Sequence, residues 1–360
     1  MQRLRLGLIG AGTIANSAHL PAIAHLHDEV ELVAVADVRA EAAEQAAKQY
    51  GAPHWYDDYR QLLDRDDIDM VDICTPEFLH GEQVVAAANA GKHILCEKPM
   101  ANSLEDADAM IAAAKRNNVK LMIGHSRRFT ARYRAIREAI ERGEIGEVRL
   151  VRENERRAAS MYNVMERWSG YWKPQDERPW IMLSKFTQGA ALTNAVHETD
   201  LARWFVGSEA TSIFAAARIT APEGEVPDFI TYTITFENGA VGAAEVVNNL
   251  PPRYPYFHMM EVFGREGMIR ATDPPMSPME SWGLEGMHFP ENFNVLLHVD
   301  DAYVREISQF AHAVREDTPV PLDPWNARQA LAIALAAVES SQTGKVVQVN
   351  RSAGESGGAA

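Results

Sequence analysis

Leu4-Arg-Leu-Gly-Leu-Ile-Gly10-Ala-Gly12-Thr-Ile-Ala15 decides the fold. Leu4–Ile9 reads as a short buried strand, and the six residues that follow fit G-x-G-x-x-G/A at the entry to a helix that runs through Leu26. Each small residue has a physical task. Gly10 permits the tight turn, Gly12 lets the backbone approach a pyrophosphate, and Ala15 lets the helix pack closely on the strand. The helix start, at Thr13 and Ile14, offers unsatisfied N–H groups and the positive end of the helix dipole to phosphate. A second strand, Glu31–Ala36, ends at Asp37, 22 residues beyond Ala15. An acid at that place accepts hydrogen bonds from the adenosine ribose hydroxyls and repels a 2′-phosphate. Motif, context and acid together predict dinucleotide binding with NAD preferred. Arg39, two residues on, is the group able to accommodate a 2′-phosphate, so NADP stays open.

The same grammar continues to about residue 125. Strands are expected at Asp69–Cys74, His93–Cys96 and Lys120–Gly124, alternating with helices at Ala40–Tyr50, Gly81–Ala90 and Leu104–Asn117. Ser103 is the expected N-cap of the last of these. Continuously apolar strands between helices imply a doubly wound parallel sheet covered on both faces, a Rossmann domain. After Phe129 the pattern changes. A helix at Ala131–Arg142 leads to strands at Glu147–Glu153, Thr211–Ile219, Phe229–Phe236, Ala240–Val247 and Met259–Phe263. Asn238-Gly239 predicts a type I′ hairpin turn, Gly264–Gly267 a further turn, and Trp325–Ser341 a long final helix. The fold class is therefore α/β, with a Rossmann domain over 1–125 and an α+β domain over 126–350. The latter carries a large, mostly antiparallel open sheet. The Gly- and Ser-rich tail 351–360 is expected to be disordered.

At 360 residues, two domains are the expectation. Fifty acidic against 35 basic residues give a net charge of −15, which argues against nucleic-acid partners and anionic membrane surfaces. No apolar run is long enough for a transmembrane helix, and the N-terminus lacks the hydrophobic region of a secretory signal. Cys74 and Cys96 are the only cysteines. They fit reduced, buried thiols in the cytoplasm better than a disulfide or a zinc site, and no metal centre is expected.

Glu97-Lys98-Pro99 follows the His93–Cys96 strand at the carboxyl edge of the parallel sheet, where ligands of open α/β sheets bind. Pro99 restricts the backbone of Lys98. An ammonium there stabilises developing alkoxide charge or relays a proton. With Gly10–Ala15 and with Thr75-Pro76 and His80, this corner resembles the Gfo/Idh/MocA family of NAD(P)-dependent sugar and cyclitol dehydrogenases. Gly143-Glu-Ile-Gly-Glu-Val148, Gly189–Asp200 and Ser340–Val349 extend the resemblance over nearly the whole chain. It implies that Lys98 is the catalytic lysine and that Thr75, Pro76, His80 and Glu97 line the cofactor. It also implies a polyol substrate and a homodimer or homotetramer formed through the C-terminal sheet.

His197 opens a helix on which residues 197, 200, 201 and 204 share a face. Its ordinary pKa near 6.5 suits proton abstraction at neutral pH while hydride leaves the same carbon. Many members of the family that the chain resembles carry Asp four residues earlier, where this chain has Thr193. A hydroxyl orients an imidazole but does not stabilise its charged form. Asn194 is a candidate polyol ligand, as is Arg128, which follows the sixth strand with His125 and Arg127. Asp200 is either a supporting partner of His197 or a packing residue. Trp168, Tyr171, Trp172 and Trp180 form a cluster suited either to stacking on sugar faces or to a subunit interface. The resemblance leaves open an NAD-dependent glycosidase-type hydrolase, or a non-catalytic ligand sensor on the same scaffold.

Overall fold

The computed structural model describes residues 3–158, 180–221, 224–250, 256–273, 280–283, 286–288 and 302–351. The expectations for Trp168, Tyr171 and Trp172 and for the tail beyond Arg351 lie outside these residues. The chain falls into two compact units, one made of 1–129 with 301–328 and the other of 130–300 with 329–360. Residues 301–328 therefore pack with the first unit, whereas the sequence reading put them in the second domain.

The first unit runs β1 (Leu4–Ile9), a π-turn at Ala15–His19, α1 (Leu20–His25), β2 (Val30–Ala36), α2 (Ala40–Tyr50), β3 (His54–Tyr56), α3 (Tyr59–Leu63), β4 (Met70–Ile73), α4 (His80–Asn89), β5 (His93–Glu97), α5 (Leu104–Arg116) and β6 (Leu121–Gly124). The sheet order is β3-β2-β1-β4-β5-β6, all parallel, as in dinucleotide-binding sheets. The register aligns Ile9 with Ala36 and Ile73, and Ile73 with Cys96. The turn after β1, the Asp37 turn, Thr75 and the Glu97-Lys98 corner thus leave the same edge. Leu6 and Leu8 alternate with Gly7, so their faces differ. The leucines join Ile23, Ala43, Ala47, Ile307 and Phe310 in one core, while a Cβ on Gly7 would meet Leu62 of α3 at 2.6 Å. Ser103 caps α5 as expected, its Oγ accepting the Asp106 N–H at 3.1 Å.

The second unit begins with α6 (Ala131–Glu141), β7 (Val148–Ala158), α7 (Ala190–Thr193) and α8 (Ala195–Val206). It continues through β8 (Ala210–Arg218), β9 (Phe229–Phe236), β10 (Val241–Leu250), β11 (Phe257–Gly264), β12 (Met268–Asp273), β13 (Glu280–Gly283) and β14 (Gly286–His288). After α9 (Ala302–Arg315), which belongs to the first unit, come α10 (Pro324–Thr343) and β15 (Val347–Gln348). Nine strands form the second sheet in the order β14-β13-β12-β11-β7-β10-β9-β8-β15. Among the described residues of this sheet, only the β7–β10 pair is parallel.

The β9–β10 hairpin forms where Asn238-Gly239 predicted it, but its turn is not type I′. Gly239 has φ +83°, and Asn238 is not in the positive-φ region that type I′ requires. Instead Phe236 and Ala240 close a three-residue loop through Phe236 N–H to Ala240 O at 3.0 Å. The Asn238 side chain accepts the Ala240 N–H at 3.1 Å, which holds Asn238 in the ordinary turn region. Both cysteines are buried free thiols. Among the described residues, no helix is long and apolar enough to cross a membrane.

Candidate active site

At the turn after β1, the Gly10 N–H donates to Ala36 O at 2.7 Å, joining β1 to the end of β2. Gly10 has φ +95°, and a Cβ there would sit 2.8 Å from Thr75 Cγ2 and 2.9 Å from the Cys74 carbonyl carbon. A Cβ on Gly12 would meet nothing within 4 Å. One glycine is demanded by the fold; the other leaves open space beside the backbone N–H groups that open the helix. Ala15 is fully buried. This is the cradle that a pyrophosphate requires. The Asp37 carboxylate accepts the Ala11 N–H at 2.9 Å and the Arg39 N–H at 2.9 Å, with the Arg39 guanidinium at 3.2–3.3 Å. Asp37 thereby ties the glycine turn to the end of β2 and sets its charge where a ribose would lie. These residues fit a dinucleotide.

Thr75, Pro76 and His80 lie beyond β4. The Thr75 hydroxyl donates to Gln83 Oε1 at 2.5 Å. His80 is buried between two carbonyls, Nε2 at 2.8 Å from Thr75 O and Nδ1 at 2.8 Å from Pro99 O. Burial holds its pKa below the ordinary histidine value, and the ring nitrogen that carries the proton donates to the carbonyl it faces. His80 is thus a brace between the β4 turn and the corner after β5. At that corner the Lys98–Pro99 peptide bond is cis. Lys98 is half-buried, and its main-chain N–H donates to Glu97 Oε2 at 3.0 Å.

Sequence reading missed what lies under this corner. His19, the last residue of the π-turn, is fully buried with Nδ1 2.7 Å from Asp72 Oδ2 and Nε2 3.0 Å from Glu97 Oε1. Tyr303 and Glu306 of α9 close the other side, the Tyr303 ring centred 5.0 Å from that of His19. Glu306 is fully buried, and neither carboxyl oxygen has a hydrogen-bond partner among the described residues. Burial opposes charge on His19, but the Asp72 carboxylate and then Cys74 outweigh it and hold the His19 pKa well above the ordinary histidine range. Burial likewise opposes charge on Glu97, yet its bond to His19 brings the net pKa below the ordinary value. Glu306 has no such bond; burial and the Glu97 charge push it well up. The signal in the sequence was a charged residue set inside an apolar run, Asp72 in Met-Val-Asp-Ile.

In the second unit, Thr193, Asn194 and His197 sit together on α7 and the first turn of α8, all buried. The chain reaches them past Gly189, where a Cβ would lie 2.5 Å from Pro227 O. The Thr193 hydroxyl donates to Gly189 O at 3.1 Å, within its own turn. His197, Asp200 and Leu201 share the expected face and are buried, with Trp204 half-buried one turn on. Beside them Glu153 of β7, Glu198 and His258 of β11 form a buried group that sequence reading also missed. His258 Nε2 lies 3.7 Å from Glu153 and 3.8 Å from Glu198, and its Nδ1 lies 3.0 Å from the Tyr133 hydroxyl. Arg128 and His125 are buried in the first unit around the turn Ser126–Phe129.

Comparison with known proteins adds an independent line. Residues 4–125 match the family model described as an oxidoreductase family with an NAD-binding Rossmann fold. Residues 133–270 match the GFO/IDH/MocA C-terminal domain. The chain is 31% identical to the uncharacterized oxidoreductase YrbE of Bacillus subtilis, over 95% of this chain and 96% of that one. It is 28% identical to the myo-inositol 2-dehydrogenase of Thermotoga maritima, over 96% and 98%. Among solved structures, a levoglucosan dehydrogenase in complex with NADH and L-sorbose superposes with a TM-score of 0.85 at 28% identity, covering 98% of this chain and all of that one.

Proposed function

From the premise that the chain belongs to the GFO/IDH/MocA family of NAD-binding oxidoreductases, we propose that it oxidises a secondary hydroxyl of a sugar, sugar derivative or cyclitol. The observation that carries this reading is the pairing of an open pyrophosphate cradle at Gly12 with a lysine on the corner of the same sheet edge. Relatives named for inositol and levoglucosan support the substrate class.

Gly12, Thr13 and Ile14 hold the pyrophosphate through main-chain N–H groups, and Asp37 receives the adenosine ribose. Thr75, Pro76, His80 and Glu97 shape the remaining cofactor surface. When bound, NAD supplies a hydride acceptor at nicotinamide C4. Lys98 donates a hydrogen bond to the substrate hydroxyl oxygen and stabilises the negative charge that grows there as its proton leaves. His197 takes that proton, directly or by way of the lysine amine. Thr193 offers no carboxylate to stabilise a cationic His197, so proton transfer leans more on Lys98. Thr193, Asn194 and Arg128 bind the remaining hydroxyls. The chain works as a homodimer or homotetramer assembled through the second sheet, whose exposed side carries Phe214, Thr231, Thr233 and Thr235.

A panel of sugars, sugar acids and cyclitols with NAD or NADP tests the reading. The expected result is stoichiometric NADH formation with at least one polyol. Glycoside hydrolysis without net NADH would instead assign the hydrolase chemistry, and binding without either reaction a sensor.

A further inference from the structure

His19 stands between two carboxylates, 2.7 Å from Asp72 and 3.0 Å from Glu97. A neutral imidazole carries one N–H, so one of these contacts would then set a ring lone pair against a carboxylate oxygen. Two donated bonds require both ring nitrogens to be protonated. The π-turn aims the ring inward: the Leu20 N–H bonds back to Ala15 O, a five-residue spacing that widens the turn. His19 belongs to the segment that begins at the glycine turn, while Glu97 belongs to the lysine corner. The Glu97 carboxylate is spent on both sides, Oε1 facing His19 and Oε2 accepting the Lys98 main-chain N–H.

We propose that His19 is a positioning residue which, as a buried imidazolium, ties the phosphate-cradle helix to the Glu97-Lys98 corner and keeps Glu97 ionised beneath the lysine. The inference rests on the reading of Lys98 as the catalytic lysine only for its effect on turnover; the charge state of His19 stands apart from it. The groups around the imidazole are Asp72 and Cys74 at the end of β4, Cys96 and Glu97 of β5, and Tyr303 and Glu306 of α9, while Lys98 and His80 act on Glu97. Against burial, His19 first, and then Lys98 and His80, favour an ionised Glu97. The charges on Glu97 and Lys98 therefore stabilise each other, and His19 supports both. Without His19, three buried carboxyl groups remain under the corner, and Glu97 holds a proton to higher pH.

Nitrogen NMR of the histidine-labelled full chain reads the charge state directly. One buried histidine is expected to show the shifts of a doubly protonated ring from about pH 6 to pH 8, and to be lost in His19→Asn. In Glu97→Gln, the same resonance is expected to titrate to a neutral ring at lower pH. The second arm is kinetic. His19→Asn is expected to lower kcat by about ten- to a hundredfold and to move the acid limb of kcat/KM to higher pH, with NADH binding by fluorescence changed less than about threefold. A merely structural histidine would leave the acid limb in place. A singly protonated His19 at neutral pH, or an unmoved acid limb, overturns the proposal. Full activity in Lys98→Met with a doubly protonated His19 would instead sink the catalytic-lysine reading and leave the buried imidazolium standing.

Discussion

Replacing Glu306 by Gln reports on the buried cluster with little change in shape. The side chain is fully buried, has no hydrogen-bond partner among the described residues, and lies where a Cβ on Gly124 would be 3.1 Å from its Oε1. Burial and then the Glu97 charge raise its pKa, so the folded chain keeps a proton that the unfolded chain releases above about pH 4.5. The sign follows from linkage. Where the native state binds the extra proton, stability falls as pH rises, until the folded pKa is reached. One proton corresponds to about 1.4 kcal/mol per pH unit. Glutamine does not titrate and removes that slope. Glu306→Gln should thus match the parent near pH 4.5 and gain on it by about 1.4 kcal/mol for each unit above, over the range in which native Glu306 stays protonated. Paired urea melts between about pH 5 and pH 7, with infrared detection of the protonated carboxyl band, give the difference. An offset that does not change with pH, or a variant that loses ground as pH rises, would mean that Glu306 is ionised in the fold and would refute the reasoning.

Three further outcomes follow from the site. Gly10→Ala should cost about 2–4 kcal/mol in chemical denaturation, because φ +95° and contacts of 2.8–2.9 Å combine strain with overpacking. Gly12→Ala should leave stability within about 1 kcal/mol, since its Cβ meets nothing, yet weaken NADH in fluorescence titration by about tenfold or more, roughly 1.4 kcal/mol. Asp37→Asn keeps an acceptor for the Ala11 N–H while removing the charge, and should raise the NADP-to-NAD ratio of kcat/KM by about tenfold; an unchanged ratio would remove the ribose argument.

Much of the first unit was legible because its determinants are local. Strand, glycine turn and Asp37 lie within a few dozen residues and carry a spacing with a mechanism. The strand edges came out within one or two residues, and α2 on its bounds. β3 and α3 escaped because three- and five-residue elements show no period. The type I′ expectation failed because the Asn238 side chain closed its own turn. α9 and the His19 cluster were hidden for a different reason. Glu306 is some two hundred residues from Glu97 in sequence, and nothing in a local pattern says that a helix after the second sheet returns to the first unit. Likewise, the pattern raised His197 through its helix but gave no sign of His258 and Glu153, which meet Glu198 only across the β7–β11 pairing.

The central claim is that Lys98 carries the chemistry of an NAD-dependent polyol oxidation, and the most direct test is NADH formation by Lys98→Met beside the parent chain on a substrate that the panel identifies. The account predicts turnover lowered by about a hundredfold or more, with NADH affinity nearly intact because the cradle at Gly12 is untouched. Turnover at the parent rate in the variant would contradict it.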